Sequence, residues 1–309
     1  MSTTVDLEAL LSTLDDRVKD ELASTPDVDD VGHDLDIDDL PEDERRWLKV
    51  TDVVAVVADL KNSTKLGTGK WAQSTASIYE AATGGVVSIF NEFDADFLAI
   101  QGDGVFGLFW GDKRVQRAIC AGITIKTFSL DLVGRLEGKW ASVAEIETGY
   151  KVGVANSRIL VKQVGTPRNP AQQEPVWAGN AVNFATKAAQ SADRDQLVVT
   201  GGFWDRIEKN DYLAFSCPCG ESPAEIWSDF KIDRLPEDNP DSEGRVLRSK
   251  WCDTHGEDYC AAILAGSTRR DDVADVRHSM DKSLMENAIF MKAKNERLAR
   301  TARHRGRVS

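Results

Sequence analysis

Two short segments contain the residue types that phosphoryl chemistry needs. Asp59 ends an apolar run and opens the polar stretch Ala58-Asp59-Leu60-Lys61-Asn62-Ser63-Thr64, and Asp103 is bracketed by glycines in Gln101-Gly102-Asp103-Gly104. Each is ordinary alone, since an aspartate caps helices and occupies turns in most sequences. Their joint placement carries the argument. In a β-α-β-β order of the ferredoxin-like kind, the first and third strands lie antiparallel and adjacent, so the end of one meets the start of the other. Asp59 and Asp103 hold those two places. Two carboxylates that close need a cation between them or a raised pKa. A pair of Mg²⁺ ions bridged by such carboxylates can serve in-line displacement at phosphorus, one ion acting on the attacking hydroxyl and the other on the leaving pyrophosphate.

A second group of ligand-forming residues lies late in the chain. Cys217-Pro218-Cys219 and Cys252-Asp253-Thr254-His255, with Cys260 shortly after, place five soft donors in under 50 residues. Two readings stand side by side: a tetrahedral structural Zn²⁺ site tying down an apolar-poor region, or buried and free thiols. The spacing, C-x-C then C-x₂-H then a further cysteine, is irregular.

The elements that must position these residues follow from periodicity. Val53 to Ala58 reads as a buried strand, Ala72 to Phe93 as a helix, and the apolar runs around Gly102-Asp103 as a hairpin. Beyond them the pattern predicts a helix over 113–136, strands over 147–155 and 158–165, a loop over 166–176, a helix over 177–192 and a strand over 196–200. This alternation predicts an α+β fold of ferredoxin-like type. Residues 1–50 read as an acidic arm, with a helix from Val5 to Leu22 and then an Asp-rich loop; 51–210 read as the catalytic domain. Residues 211–309 read as an extension ending in a basic helical tail with Lys292, Lys294, Arg297, Arg300, Arg303, Arg305 and Arg307, solvated or partner-facing.

Composition narrows the possibilities. A chain of 309 residues with 41% hydrophobic content can bury a full-sized core. The net charge of −13, with 16 acidic against 5 basic residues in the first 50, disfavours general attraction to nucleic acid or anionic membrane. No stretch approaches the roughly 20 apolar residues that span a bilayer, and the N-terminus is unlike a secretory signal. A cytoplasmic location is expected.

Ala58 to Thr64 resembles the first metal motif of the class III adenylyl and guanylyl cyclases, Gly102-Asp103-Gly104-Val105-Phe106-Gly107 resembles the second, and Trp177-Ala178-Gly179-Asn180-Ala181-Val182-Asn183-Phe184-Ala185-Thr186-Lys187-Ala188 is similar to the helix that carries the transition-state pair. Three ordered motifs span about half the chain. The resemblance implies metal binding by Asp59 and Asp103 with the backbone carbonyl of Leu60, two Mg²⁺ or Mn²⁺ ions per site, and phosphate binding by the loop 61–64, with Asn62, Ser63 and Thr64 as its residues. It also implies that Asn183 orients the ribose, and that Lys187 stands where most members have arginine. A head-to-tail homodimer with shared active sites is implied too. The two places that usually read a purine, four residues before the second aspartate and two before the tryptophan, hold Ala99 and Pro175, whose side chains offer no hydrogen bond. A pyrimidine is therefore the expected base. In this the chain looks like the bacterial pyrimidine cyclases of Pycsar antiphage defence, whose products trigger a separate effector. Conversion of UTP to cyclic UMP is the first reading, CTP to cyclic CMP the next, and ATP or GTP in an atypical base pocket remains open. A catalytically silent nucleotide-binding sensor is the alternative of a different class.

Overall fold

The uninterrupted apolar run Val53 to Ala58 lies at the centre of strand β2 (Arg46–Leu60), which is buried on both faces. The computed structural model describes residues 5–42, 45–62, 72–139, 148–165, 173–219, 222–280, 282 and 292. Val54, Val56 and Ala58 point to one face and Val53, Ala55 and Val57 to the other, so neither face could be polar. Each fully buried valine contributes roughly 1.5–3 kcal/mol relative to exposure.

Helices α2 (Ala72–Glu92) and α3 (Arg114–Lys139) cover the first face, through Ile78, Ala82, Val86 and Phe90 of α2 and Ile119 and Ile125 of α3. Helix α4 (Asn180–Ser191) covers the second with Ala181, Phe184, Ala185, Ala188 and Ala189. Beside β2 lie β4 (Gly104–Phe109) on one flank and β5 (Tyr150–Gly165) on the other, both antiparallel to it. β3 (Phe97–Gln101) extends the sheet outward from β4, and β7 (Leu197–Val199) runs parallel to β5. This is the expected α+β layering, with the first and third strands of the β-α-β-β unit paired antiparallel.

Close approach of α4 to the sheet depends on one glycine. A Cβ at Gly153 on β5 would collide with the carbonyl oxygen of Ala185 and the amide nitrogen of Ala189, both backbone atoms of α4. Gly153→Ala is expected to lower stability by roughly 1–3 kcal/mol or more, since backbone cannot step aside as a side chain can. Urea unfolding measures this directly, and an unchanged midpoint would contradict such close contact.

Several elements differ from the sequence-based expectation. The Asp-rich segment expected as a loop contains β1 (Asp27–Gly32), parallel to β2, with Asp30 2.5 Å from Lys49 and Asp29 3.6 Å from Arg46. Cross-strand cations make a carboxylate-rich strand tolerable. Helix α1 (Leu7–Ala23) forms as expected, with the Asp6 side chain accepting from the Ala9 amide, yet buries none of its residues. The strands expected over 147–155 and 158–165 are one, because β2 shifts register between Val50 and Val53 and keeps pairing with β5 past Asn156 and Ser157. Part of the expected loop 166–176 and the first turn of the expected helix 177–192 form β6 (Gln173–Gly179) instead, so Trp177 is a strand residue. Among the described residues β6 pairs only with β5, and an edge strand tolerates the missing N–H of Pro175.

The sheet also crosses residue 210. After the short helices α5 (Gly201–Ile207) and α6 (Asp211–Ala214), β8 (Trp227–Lys231) pairs with β9 (Glu243–Leu247), and β9 pairs with β7. The resulting order is β3-β4-β2-β5-β7-β9-β8, so residues 227–247 complete the main sheet rather than a separate extension. α7 (Gly256–Leu264) follows. Nearly all of the basic tail lies outside the described residues. Among the described residues, no helix is long and apolar enough to cross a membrane.

Candidate active site

Asp59 is the penultimate residue of β2, and Asp103 sits in the turn joining β3 to β4. Gln101 pairs with Gly104, which leaves Gly102 and Asp103 as a two-residue turn, and Gly102 takes the φ of +67° that such turns favour. Because Ala58 pairs with Val105, the end of β2 lies beside the start of β4. Both aspartates consequently line one cavity of ≈ 160 Å³, together with Gln101, Phe106, Thr186 and Gln190.

A lysine is already at this site. Lys151 is the β5 residue paired with Asp59, and its Nζ lies 2.5 Å from Asp59 Oδ2. Next to it in the chain, the Tyr150 phenol is fully buried. Burial pushes its hydroxyl well above the usual tyrosine value, and the negative charges of Asp103 and Asp59 push it further, so it stays neutral. One phenol thus senses both carboxylates. The donors offered at the cavity are the oxygens of two carboxylates, and Leu60, at the end of β2, is not among the lining residues. Such donors suit a hard cation such as Mg²⁺ or Mn²⁺.

The expected phosphate loop is partly in view. Asn62 lies in a turn with φ of +59°, and Ser63 and Thr64 fall outside the described residues. Lys61 departs from the expected cradle. Its backbone N–H donates to Gly149 O at 2.9 Å, and its ammonium lies 2.6 Å from Asp193.

Asn183 and Lys187 stand one turn apart on α4, as expected of a helix. Asn183 is exposed and donates through Nδ2 to Gly179 O at 3.1 Å. Neither lines the aspartate cavity of its own chain; Thr186 and Gln190 do, from the adjoining stripe of α4. Sequence reasoning missed Thr186, Gln190 and Lys151. Their signal existed only in combination with helix rotation and strand register.

Ala99 lies on β3 opposite Phe106, and Pro175 on β6 opposite Gln163. Nearby, Trp177 packs 4.9 Å from Phe97 and 5.7 Å from Trp110, ring centre to ring centre, and its buried indole N–H has no hydrogen-bond partner among the described residues. Away from the cavity, Cys217, Cys219, Cys252 and His255 come together. Cys260 does not join them. It lies on α7 against the core that contains the buried Cys120 of α3, and the two thiols shift each other, Cys120 up and Cys260 down.

Comparison with known proteins agrees with this geometry. The chain is 57% identical over 305 residues to a uridylate cyclase of Micromonospora echinofusca, covering 98% of this chain and 99% of the relative. A uridylate cyclase of Propioniciclava tarda is 48% identical over 289 residues, 93% of each chain. A third, from Burkholderia cepacia, is 25% identical over 177 residues, 57% of this chain and 73% of that one. Among solved structures, an adenylyl cyclase from P. aeruginosa aligns with a TM-score of 0.52 at 13% identity, over 66% of this chain and 97% of that one. A class III adenylyl cyclase-like ATP-binding protein from Pseudomonas aeruginosa gives 0.52 at 17% identity, over 91% and 53%. These structural likenesses establish the fold. No family model matches the chain.

Proposed function

Because the chain belongs to the uridylate cyclase family and is a nucleotidyl cyclase, we propose that it closes UTP into 3′,5′-cyclic UMP at the Asp59 and Asp103 cavity. The ribose 3′-oxygen forms a bond to the α-phosphorus, the bond from that phosphorus to the β-phosphate oxygen breaks, and pyrophosphate leaves. The observation that carries this reading is the convergence of two carboxylates from neighbouring strands on one cavity. Asp59, Asp103 and the Leu60 carbonyl would hold two divalent ions, which when bound supply the positive charge that ionises the 3′-hydroxyl and steadies the leaving pyrophosphate. Lys151, whose ammonium lies 2.5 Å from Asp59 Oδ2, would compete with a divalent ion for that carboxylate.

Asn183 and Lys187 serve the cavity of a second copy. Neither is among the residues lining its own chain's cavity, which fits a head-to-tail dimer with two shared sites. Asn183 orients the ribose, and the Lys187 ammonium meets the charge that develops on the α-phosphate. A lysine provides the charge without the bidentate fork of arginine.

The base is taken to be uracil because Ala99 and Pro175 offer no side-chain hydrogen bond to a purine, and because the relatives at 57% and 48% identity are named for uridylate. Incubation with UTP, CTP, ATP and GTP, each with Mn²⁺ or Mg²⁺, tests this by product mass. Cyclic UMP should form at least about tenfold faster than any other cyclic nucleotide, since a pocket built around one base edge leaves polar groups unpaired on another. Cyclic CMP as main product would move the assignment to cytosine. A purine product would overturn the argument from Ala99 and Pro175, and no product from any of the four would favour the silent sensor.

The same proposal places the reaction in the cytoplasm, with five cysteines free of disulfides, and excludes nucleic acid and membrane as partners for a chain of net charge −13. Its product acts as a second messenger on a separate effector in antiphage defence, a role that rests on the family resemblance.

A further inference from the structure

None of the residues of the cysteine and histidine cluster lines the aspartate cavity. Two segments form it. Cys217 and Cys219 follow the bridge between Phe215 and Glu225, and Cys252 and His255 occupy the turn that leads into α7. One ligand atom from each of the four lies within 4.8 Å of all the others. Cys219 Sγ is 3.1 Å from His255 Nδ1 and 3.8 Å from Cys252 Sγ, and Cys252 Sγ is 3.9 Å from His255 Nδ1.

A tetrahedral zinc ion with bonds of about 2.3 Å to sulfur and 2.0–2.1 Å to nitrogen needs sulfur atoms about 3.8 Å apart and sulfur to nitrogen about 3.5 Å. The Cys219–Cys252 edge matches at 3.8 Å, the two sulfur–nitrogen edges bracket the ideal at 3.1 and 3.9 Å, and Cys217 lies within 4.8 Å of the other three. Its donors are soft, three thiols and an imidazole, a set that selects zinc over the hard cations suited to Asp59 and Asp103. The surroundings are those of a thiolate ligand. The Thr254 amide donates to Cys252 Sγ at 3.4 Å, the kind of backbone contact that supports a ligating thiolate.

We propose that Cys217, Cys219, Cys252 and His255 bind one structural Zn²⁺ per chain, with Cys260 excluded. The ion links two segments that flank the β8–β9 hairpin and fixes both against α3. Trp251, adjacent to Cys252, donates from its backbone to Thr127 Oγ1 at 3.1 Å and from its indole to Thr124 Oγ1 at 2.9 Å, both on α3. Cys260 packs on Cys120 of the same helix. The far end of the sheet is thereby tied to the helix that covers its catalytic half. A Cys219–Cys252 disulfide is the competing occupant of the same space.

The test is metal content by inductively coupled plasma mass spectrometry, with native mass, on the full chain produced with zinc and kept reduced. One zinc per chain is expected, falling below about 0.2 in Cys219→Ser and His255→Ala and staying near one in Cys260→Ser and Asp59→Asn. If the ligand variants fail to fold, the wild-type protein still decides the matter. A mercurial thiol reagent should release one equivalent of zinc to a chromophoric chelator, and cobalt substitution should show the intense visible bands of tetrahedral thiolate ligation. Wild-type protein without zinc, a mass two hydrogens below the reduced chain, or equal zinc loss in Cys260→Ser would each overturn the assignment.

Discussion

Asp103→Asn yields a folded protein whose cyclic nucleotide production falls by about 10³-fold or more. An amide has the shape of the carboxylate without its charge, so it cannot hold a divalent ion. Charge stabilisation of that kind supplies several kcal/mol to the transition state, and each 1.4 kcal/mol or so is a factor of ten in rate. Asp103 is the cleaner of the two positions to change. It occupies the β3–β4 turn, where Gln101 and Gly104 already close the hairpin, so the sheet pairing does not depend on its side chain. Asp59→Asn should lose activity similarly, and it also leaves the Lys151 ammonium, only 17% exposed, without its carboxylate. Product formation by chromatography and mass is the measurement, with circular dichroism and the urea midpoint as controls on folding. Wild-type rates in either variant would end the two-aspartate assignment.

Activity returns when two inactive variants are mixed, provided each cavity is completed by a second copy. Lys187→Ala alone is expected to lose roughly 10²–10³ in rate, the scale of removing one preorganised donor to developing charge. In a mixed dimer of Asp103→Asn with Lys187→Ala, one site carries both lesions and the other carries neither. Equal random mixing makes half of the dimers mixed, so about a quarter of wild-type activity should appear. The reading is large against a background near zero. If Asn183 and Lys187 served their own chain's cavity, every site would keep a lesion and mixing would restore nothing. The exposed position of Asn183 and the filling of the local cavity wall by Thr186 and Gln190 are why restoration is expected.

The catalytic half of the fold was legible because its signals are local. A six-residue apolar run can only be a strand buried on both faces or a helix segment, and Asp59 directly after it limits where it ends. The hairpin at Gly102-Asp103 follows from a glycine that accepts positive φ. Harder to read were elements whose stability comes from a partner. β1 looks like an acidic loop until Lys49 and Arg46 of β2 are placed beside its aspartates. β6 contains Pro175 and borders a proline-bearing loop, and becomes a strand only as an edge along β5. β8 and β9 have too few apolar residues to show alternation, and owe their place to pairing with β7.

Residue types and short spacings by themselves determined two of the groups that could do chemistry, two aspartates for hard cations and a set of soft donors, while Asn183 and Lys187 were picked out through the family resemblance. Tertiary structure alone decided how those groups combine. It placed Lys151 against Asp59 through strand register, put Thr186 and Gln190 rather than Asn183 and Lys187 in the wall of the local cavity, and brought four of the five cysteine and histidine candidates together while packing the fifth elsewhere. The reason is physical. Periodicity fixes which residues share a face within one element, whereas register, helix rotation and packing are sums over contacts between residues as much as 154 positions apart, such as Asp52 with Arg206, and no short window of sequence contains them.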